Sequence, residues 1–195
     1  MIWLKRAGWA LAVLCGLCAI VLLDFMRHGG QFRTLKAHAP GVCTAVPLEA
    51  SAEDIQINRA RGIAYLSMLD RRAAMQGGSA RGTILALDLN DPALPVTLAL
   101  ARAPEGFHPH GLSLYRVGDG SLRLFAVSHP QGAPHTIEIF EQTSDEPFRP
   151  VATITDPLLV APNAVAAVGA RQFYVANDSG AHNLWQRFSE LVLRQ

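Results

Sequence analysis

Two histidines, His110 and His129, stand at the open end of a pair of apolar runs, Leu112 to Val117 and Leu122 to Val127, that meet at Asp119-Gly120. Asp-Gly is the dipeptide a tight two-residue hairpin turn prefers, because that turn needs positive φ at both central positions. Counted back from the turn, His110 falls directly opposite His129, and facing residues sit about 5 Å apart at Cβ. Each histidine adjoins a proline, Pro109 or Pro130, which stops further strand pairing. Two imidazoles so placed can accept and return a proton, the work of a general base and its partner. A structural or solvated pair at a strand end is the competing reading, and the hairpin alone leaves both open.

The elements that must position these histidines recur along the chain. A first strand begins at Glu53-Asp54-Ile55, at His110-Gly111-Leu112 and at Asn163-Ala164-Val165, steps of 57 and 53 residues. After each comes a second strand with an aromatic and a closing Ser or Asn in register: Gly62 to Ser67, Leu122 to Ser128, and Gln172 to Asn177. Thr83 to Asp88 and Val96 to Leu100 complete the first unit, and Thr136 to Phe140 and Val151 to Thr155 the second. Four short strands repeated with a period in the low fifties predict an all-β fold of β-propeller blades. A β-sandwich is the alternative, although it gives no reason for the same aromatic to recur in register.

First strands of propeller blades line the central axis, so Glu53, His110 and Asn163 are expected at one end of it, with His129 beside His110. A carboxylate and an amide oxygen are the hard ligands calcium takes, and an imidazole supplies the base. Taken singly, Glu53 reads as a surface acid and Asn163 as a turn former after Pro162; equivalent positions in a repeat explain them together. Zinc on His108, His110 and His129 is disfavoured because Pro109 interrupts the His-x-His pattern.

The bulk numbers bound the partners. The net charge is +1, 17% of residues are charged, and no basic run occurs after the N-terminal region, which argues against nucleic acid. From Ala7 to Leu23 the chain is almost purely apolar, with Lys5 and Arg6 before it and Asp24, Arg27 and His28 after it. Residues 1–26 are therefore expected to be an uncleaved signal anchor or transmembrane helix, with a cleaved signal as the alternative. Residues 27–50 read as a linker and residues 51–195 as the globular part, exported to the periplasm or the exterior. Cys15 and Cys18 lie inside the apolar segment, where their Cys-x-x-Cys spacing is better read as coincidence than as redox or metal chemistry. Cys43 is the single cysteine beyond it. Asn183 to Arg194 reads as a short amphipathic helix with Leu184, Phe188, Leu191 and Val192 on one face.

Three segments taken together carry a resemblance. His-Pro-His110-Gly-Leu-Ser, Ser-His129-Pro, and Pro-Asn163-Ala-Val-Ala-Ala-Val-Gly-Ala-Arg-Gln-Phe-Tyr-Val-Ala-Asn-Asp178 resemble the serum paraoxonase/arylesterase family, as do Glu53-Asp54-Ile and Leu87-Asp88-Leu89-Asn90. The similarity runs in order from about Val42 to Asp178. It implies a six-bladed propeller with two calcium ions in its tunnel that hydrolyses lactones and aryl esters. By residue it implies Glu53 and Asn163 as ligands of the catalytic calcium, His110 and His129 as the histidine dyad, and Asp54 with the Leu112 carbonyl at a structural calcium. Cys43 matches a cysteine bridged in the family to one near the C-terminus, a partner this sequence lacks.

Two departures accompany the resemblance. Ala164 stands where the family has an aspartate, which removes a carboxylate from the structural calcium site. The chain also covers about two and a half of the six blades expected, so further ligands are expected outside it. Three readings therefore stand: a calcium-dependent lactonase or arylesterase, a truncated and non-catalytic membrane-tethered remnant, and half of a propeller completed by another chain. No Gly-x-Ser-x-Gly elbow occurs to support a serine nucleophile instead.

Overall fold

A computed structural model describes residues 2–38, 40–78 and 80–193 of the chain. It comprises two compact units, Met1–Thr44 with Ala181–Gln195, and Ala45–Gly180.

In the first unit, α1 runs from Ile2 to His28. Its stretch Lys5–His28, 24 residues, is long and apolar enough to cross a membrane, and a signal sequence passes the same test. At about 1.5 Å per residue that stretch is roughly 36 Å long, against a hydrocarbon layer of about 30 Å. Leu11, Leu14, Ile20 and Leu23 lie exposed along it. The expected C-terminal helix is present at Leu184–Leu193, with Trp185 stacked on Phe188. Asn183 caps it by accepting the Gln186 N–H at 2.9 Å. The predicted end at Arg194 lies outside the described residues.

The second unit holds all the strands found among the described residues. β1 (Ser51–Asn58), β2 (Ile63–Leu69), β3 (Thr83–Asp88) and β4 (Val96–Leu98) form one antiparallel sheet in chain order. A short helix, α2 (Arg71–Met75), leaves the end of β2, capped by Asp70, whose carboxylate accepts the Ala73 N–H at 3.0 Å. β5 (Pro109–Arg116), β6 (Leu122–Ser128), β7 (Thr136–Gln142) and β8 (Arg149–Ile154) repeat the four-stranded pattern, and β9 (Pro162–Gly169) pairs with β10 (Gln172–Asn177). The protein is thus mostly β, in antiparallel sheets, and these do not close into a barrel among the described residues. The fourth strand of the first sheet stops at Leu98 instead of Leu100; Leu100 bridges to Phe148 of the second sheet instead.

Apolar side chains pack on both faces of the central sheet. One core joins it to the first sheet through Tyr65, Ile84, Leu124, Phe140 and Phe148; another joins it to the β9–β10 hairpin through Phe125, Val127, Ile137, Ile139 and Val165. Burial on two sides explains why Leu124-Phe125-Ala126-Val127 is apolar without alternation and fully buried. The same stacking sets β1 against β5 and β5 against β9.

The β5–β6 register corrects the expected one. The loop has three residues, Gly118-Asp119-Gly120: Val117 donates to Ser121 O at 2.9 Å and Gly120, at φ 88°, donates to Val117 O. This is the three-residue hairpin in which a left-handed residue follows a type I turn. Arg116 therefore pairs with Leu122 and Leu112 with Ala126. A bulge between Pro109 and Leu112 then sets Pro109 opposite Ser128, so His110 has no directly facing partner at His129.

Candidate functional site

The bulge at His110-Gly111 turns the His110 ring across the ends of β1, β5 and β9. Its Nδ1 lies 3.2 Å from the Asn163 carbonyl oxygen and its Nε2 lies 3.1 Å from Glu53 Oε1. Carbonyl and carboxylate oxygens both only accept, so a ring nitrogen bonds its neighbour here only by donating, and Nε2 is free to act as a base only when it is not donating to Glu53. Glycine at 111 makes this approach feasible: a Cβ there would lie 2.4 Å from Asn163 O and 2.9 Å from Ala164 Cα. β5 and β9 therefore touch backbone to backbone at the site.

His129 meets His110 as expected, by a different route. The two rings are edge to face with centroids 5.0 Å apart, and the His129 N–H donates to His108 O at 3.0 Å. Burial, followed by His135, His110, Arg71 and His108, lowers the His129 pKa from its ordinary value to about 4. At neutral pH this imidazole is uncharged, the state in which it can assist proton transfer.

Glu53 projects from β1, and its second oxygen, Oε2, pairs with Arg71 Nη2. Arg71 Nε is buried with no hydrogen-bond partner among the described residues. A cavity of about 170 Å³ opens here, walled by Leu69, Met75 and Pro109 with Arg71, His110 and His129 among its polar lining. A larger cleft, about 580 Å³, lies at the opposite strand ends around Arg61, Tyr65 and Gln142, away from the imidazoles.

Asn163 reaches the site through its backbone, while its side-chain amide donates to Asp178 Oδ1 at 2.6 Å. Asp54 and Leu112 also come together: Asp54 Oδ2 accepts the Leu112 N–H and Oδ1 the Ile55 N–H, both at 2.7 Å. It is the Leu112 amide, rather than its carbonyl, that meets the carboxylate. Ala164 is exposed. Cys43 is a free, exposed thiol.

No group of three His, Cys, Asp or Glu side chains among the described residues is placed to hold a metal ion. That count leaves out amide and carbonyl oxygens, which calcium uses freely. Glu53 and the Asn163 amide oxygen fit calcium by donor chemistry, and the fold already sets a positive charge, Arg71, against that carboxylate. They supply two of the roughly six to eight oxygens a calcium ion takes.

Two residues at the site were not anticipated. Arg71 arrives on α2, a single turn too short for an apolar periodicity; the sequence signal was Asp70 as a cap. His135 Nδ1 lies 3.0 Å from His129 Nδ1, with the rings edge to face at 4.7 Å. Its signal was the near-symmetry of His129-Pro-Gln-Gly-Ala-Pro-His135 about Gly132.

With this geometry in hand, comparison with known proteins is specific. The arylesterase family model matches residues 42–195. Serum paraoxonase/arylesterase 1 of Rattus norvegicus is 34% identical over 192 residues, 91% of this chain and 54% of that protein. Serum paraoxonase/arylesterase 2 of Bos taurus is 34% identical over 152 residues, 75% of this chain and 42% of that protein. Serum paraoxonase/lactonase 3 of Homo sapiens is 28% identical over 180 residues, 89% of this chain and 50% of that protein. The chain spans about half the length of the curated relatives it matches. A family match across more than half of the chain, over a range that includes Glu53, His110, His129 and Asn163, means that the chain belongs to the arylesterase family, that of the serum paraoxonases.

Proposed function

We propose that this chain carries the histidine dyad and part of the calcium site of an ester hydrolase acting on lactones and aryl esters. The observation that carries the reading is the His110 ring held between Glu53 and the Asn163 carbonyl, with His129 against it. Three strand units far apart in sequence contribute to one point, which packing alone does not require.

Glu53 and Asn163 would hold the catalytic calcium, with Asp54 and Leu112 near a second ion. When bound, calcium supplies positive charge for the ester carbonyl oxygen, the electrostatic part of such catalysis. His110 Nε2 takes a proton from water as the water oxygen bonds to the acyl carbon. The same proton goes to the leaving oxygen as the acyl C–O bond breaks, giving an acid and an alcohol or phenol, or a hydroxy acid from a lactone. Asn163 keeps a hydrogen on His110 Nδ1, and with Glu53 drawn onto calcium in place of the ring, Nε2 would be the basic nitrogen. Neutral His129 holds the ring's edge without adding charge.

The four-stranded sheets act in this reading as successive propeller blades. Val168 and Tyr174, exposed on the outer side of β9 and β10, form the face on which a further blade packs, from the same polypeptide or another. α1 serves as the membrane anchor, with the globular part exported. Ala164, a methyl where the family carries a carboxylate, favours weak occupancy of the second calcium site.

The purified full chain, tested in a pH-stat with a small lactone, should release acid with calcium present and stop when a chelator is added. A folded, calcium-bound sample that releases no acid overturns the reading.

A further inference from the structure

The β6–β7 register brings a third imidazole to the dyad. Ser128 pairs with Thr136, so the next residues outward, His129 and His135, face each other across the loop Pro130–Pro134. Gly132, at φ 69°, makes the reversal that a residue with a Cβ resists. The two Nδ1 atoms lie 3.0 Å apart, hydrogen-bond distance. Between two neutral imidazoles one nitrogen must donate and the other accept, so the tautomers of the pair are fixed together.

We propose that His135 is a positioning residue for His129, holding that imidazole in one tautomer and one orientation against His110. His129 is otherwise anchored through its main chain, by the bond to His108 O at 3.0 Å, which leaves the ring free to turn about its side-chain bonds. The contact to His110 is edge to face at 5.0 Å, a packing contact that does not choose between the two ring nitrogens. His135 makes that choice by occupying Nδ1, which leaves Nε2 as the nitrogen His129 offers to the reacting groups. The role parallels that of the partner that orients the imidazole in other hydrolytic centres, although here the orienting group is itself an imidazole. It rests on the reading of His129 as a member of the dyad.

The test uses the full chain in detergent, with His135→Phe to keep a ring without nitrogen and His135→Asn to restore a polar group near the Nδ1 position. With phenyl acetate and calcium, His135→Phe should lower kcat about tenfold with KM within about twofold, and His135→Asn should recover most of the loss. In histidine labelled with 15N, the His129 ring nitrogens should move from the shifts of one fixed tautomer to averaged values in His135→Phe. Unchanged His129 nitrogens in His135→Phe overturn the proposal, as do equal losses in the Phe and Asn variants, which mark a packing role. If the wild type hydrolyses nothing, the hydrolase reading falls, and the nitrogen shifts alone still decide the role of His135.

Discussion

His110 Nε2 and Glu53 Oε1 lie 3.1 Å apart, although 57 residues and four strand-connecting segments separate them in the chain. Stacking of β1 against β5 creates the contact, and the bulge at His110-Gly111 aims the ring. Under the proposed function this relationship would tie the base to a calcium ligand, so disturbing either should disturb both functions.

Replacing the Glu53 carboxylate by an amide, Glu53→Gln, keeps the shape and removes the charge. Calcium affinity measured by calorimetry should fall at least about tenfold, since ligand charge sets the affinity of such sites. Turnover at moderate calcium should fall by about 100-fold. Calcium affinity equal to the wild type would remove Glu53 from the ligand set.

Gly111→Ala drives a methyl into the β9 backbone at Asn163 O and Ala164 Cα. Overpacking against backbone costs about 1–3 kcal/mol, readable by urea unfolding. Gly118→Ala, where an added Cβ meets nothing within 4 Å, is the control and should be near neutral. Similar stabilities for the two variants would mean that β5 and β9 are not in backbone contact.

Phe148 is fully buried, edge-on to Tyr65 at 5.2 Å, and joins the two four-stranded sheets. Phe148→Ala should cost about 3–5 kcal/mol, the range for deleting a buried aromatic. A loss below about 1 kcal/mol in urea unfolding would mean that the sheets do not pack through it.

The depressed pKa of His129 has a sign in stability. An unfolded histidine binds its proton near pH 6.5, whereas the folded one, desolvated by burial and beside His135, His110, Arg71 and His108, binds it at about 4. The unfolded chain therefore gains the proton first, and the contribution of His129, full above about pH 6.5, is lost as pH falls from there toward 4. The ring is half-buried, so solvent screening shrinks the effect. His129→Gln should flatten the urea-unfolding free energy between pH 6.5 and 4; an unchanged slope would contradict the assignment.

Much of this was legible in the sequence. Strand positions followed from alternating and continuous apolar runs, and their recurrence placed Glu53, His110 and Asn163 at equivalent strand starts. The His110–His129 contact was anticipated through a two-residue turn, whereas the loop is Gly118-Asp119-Gly120. The bulge offset that error, since it lets the His110 ring swing back to His129. Bulges leave little trace in composition, although Gly111 marks this one. Arg71 was hidden because α2 is one turn held by a cap. His135 was hidden because its meaning depends on the β6–β7 register, which Ser128 and Thr136 settle only once paired. The route by which Asn163 touches His110, through its carbonyl, is a property of backbone approach that no side-chain pattern encodes.

The most direct measurement is phenol release from phenyl acetate by the purified full chain in saturating calcium, wild type beside His110→Gln. The wild type should turn over and His110→Gln should fall to the rate without protein. Equal rates in the two, with both samples folded and calcium-loaded, would contradict a base at His110.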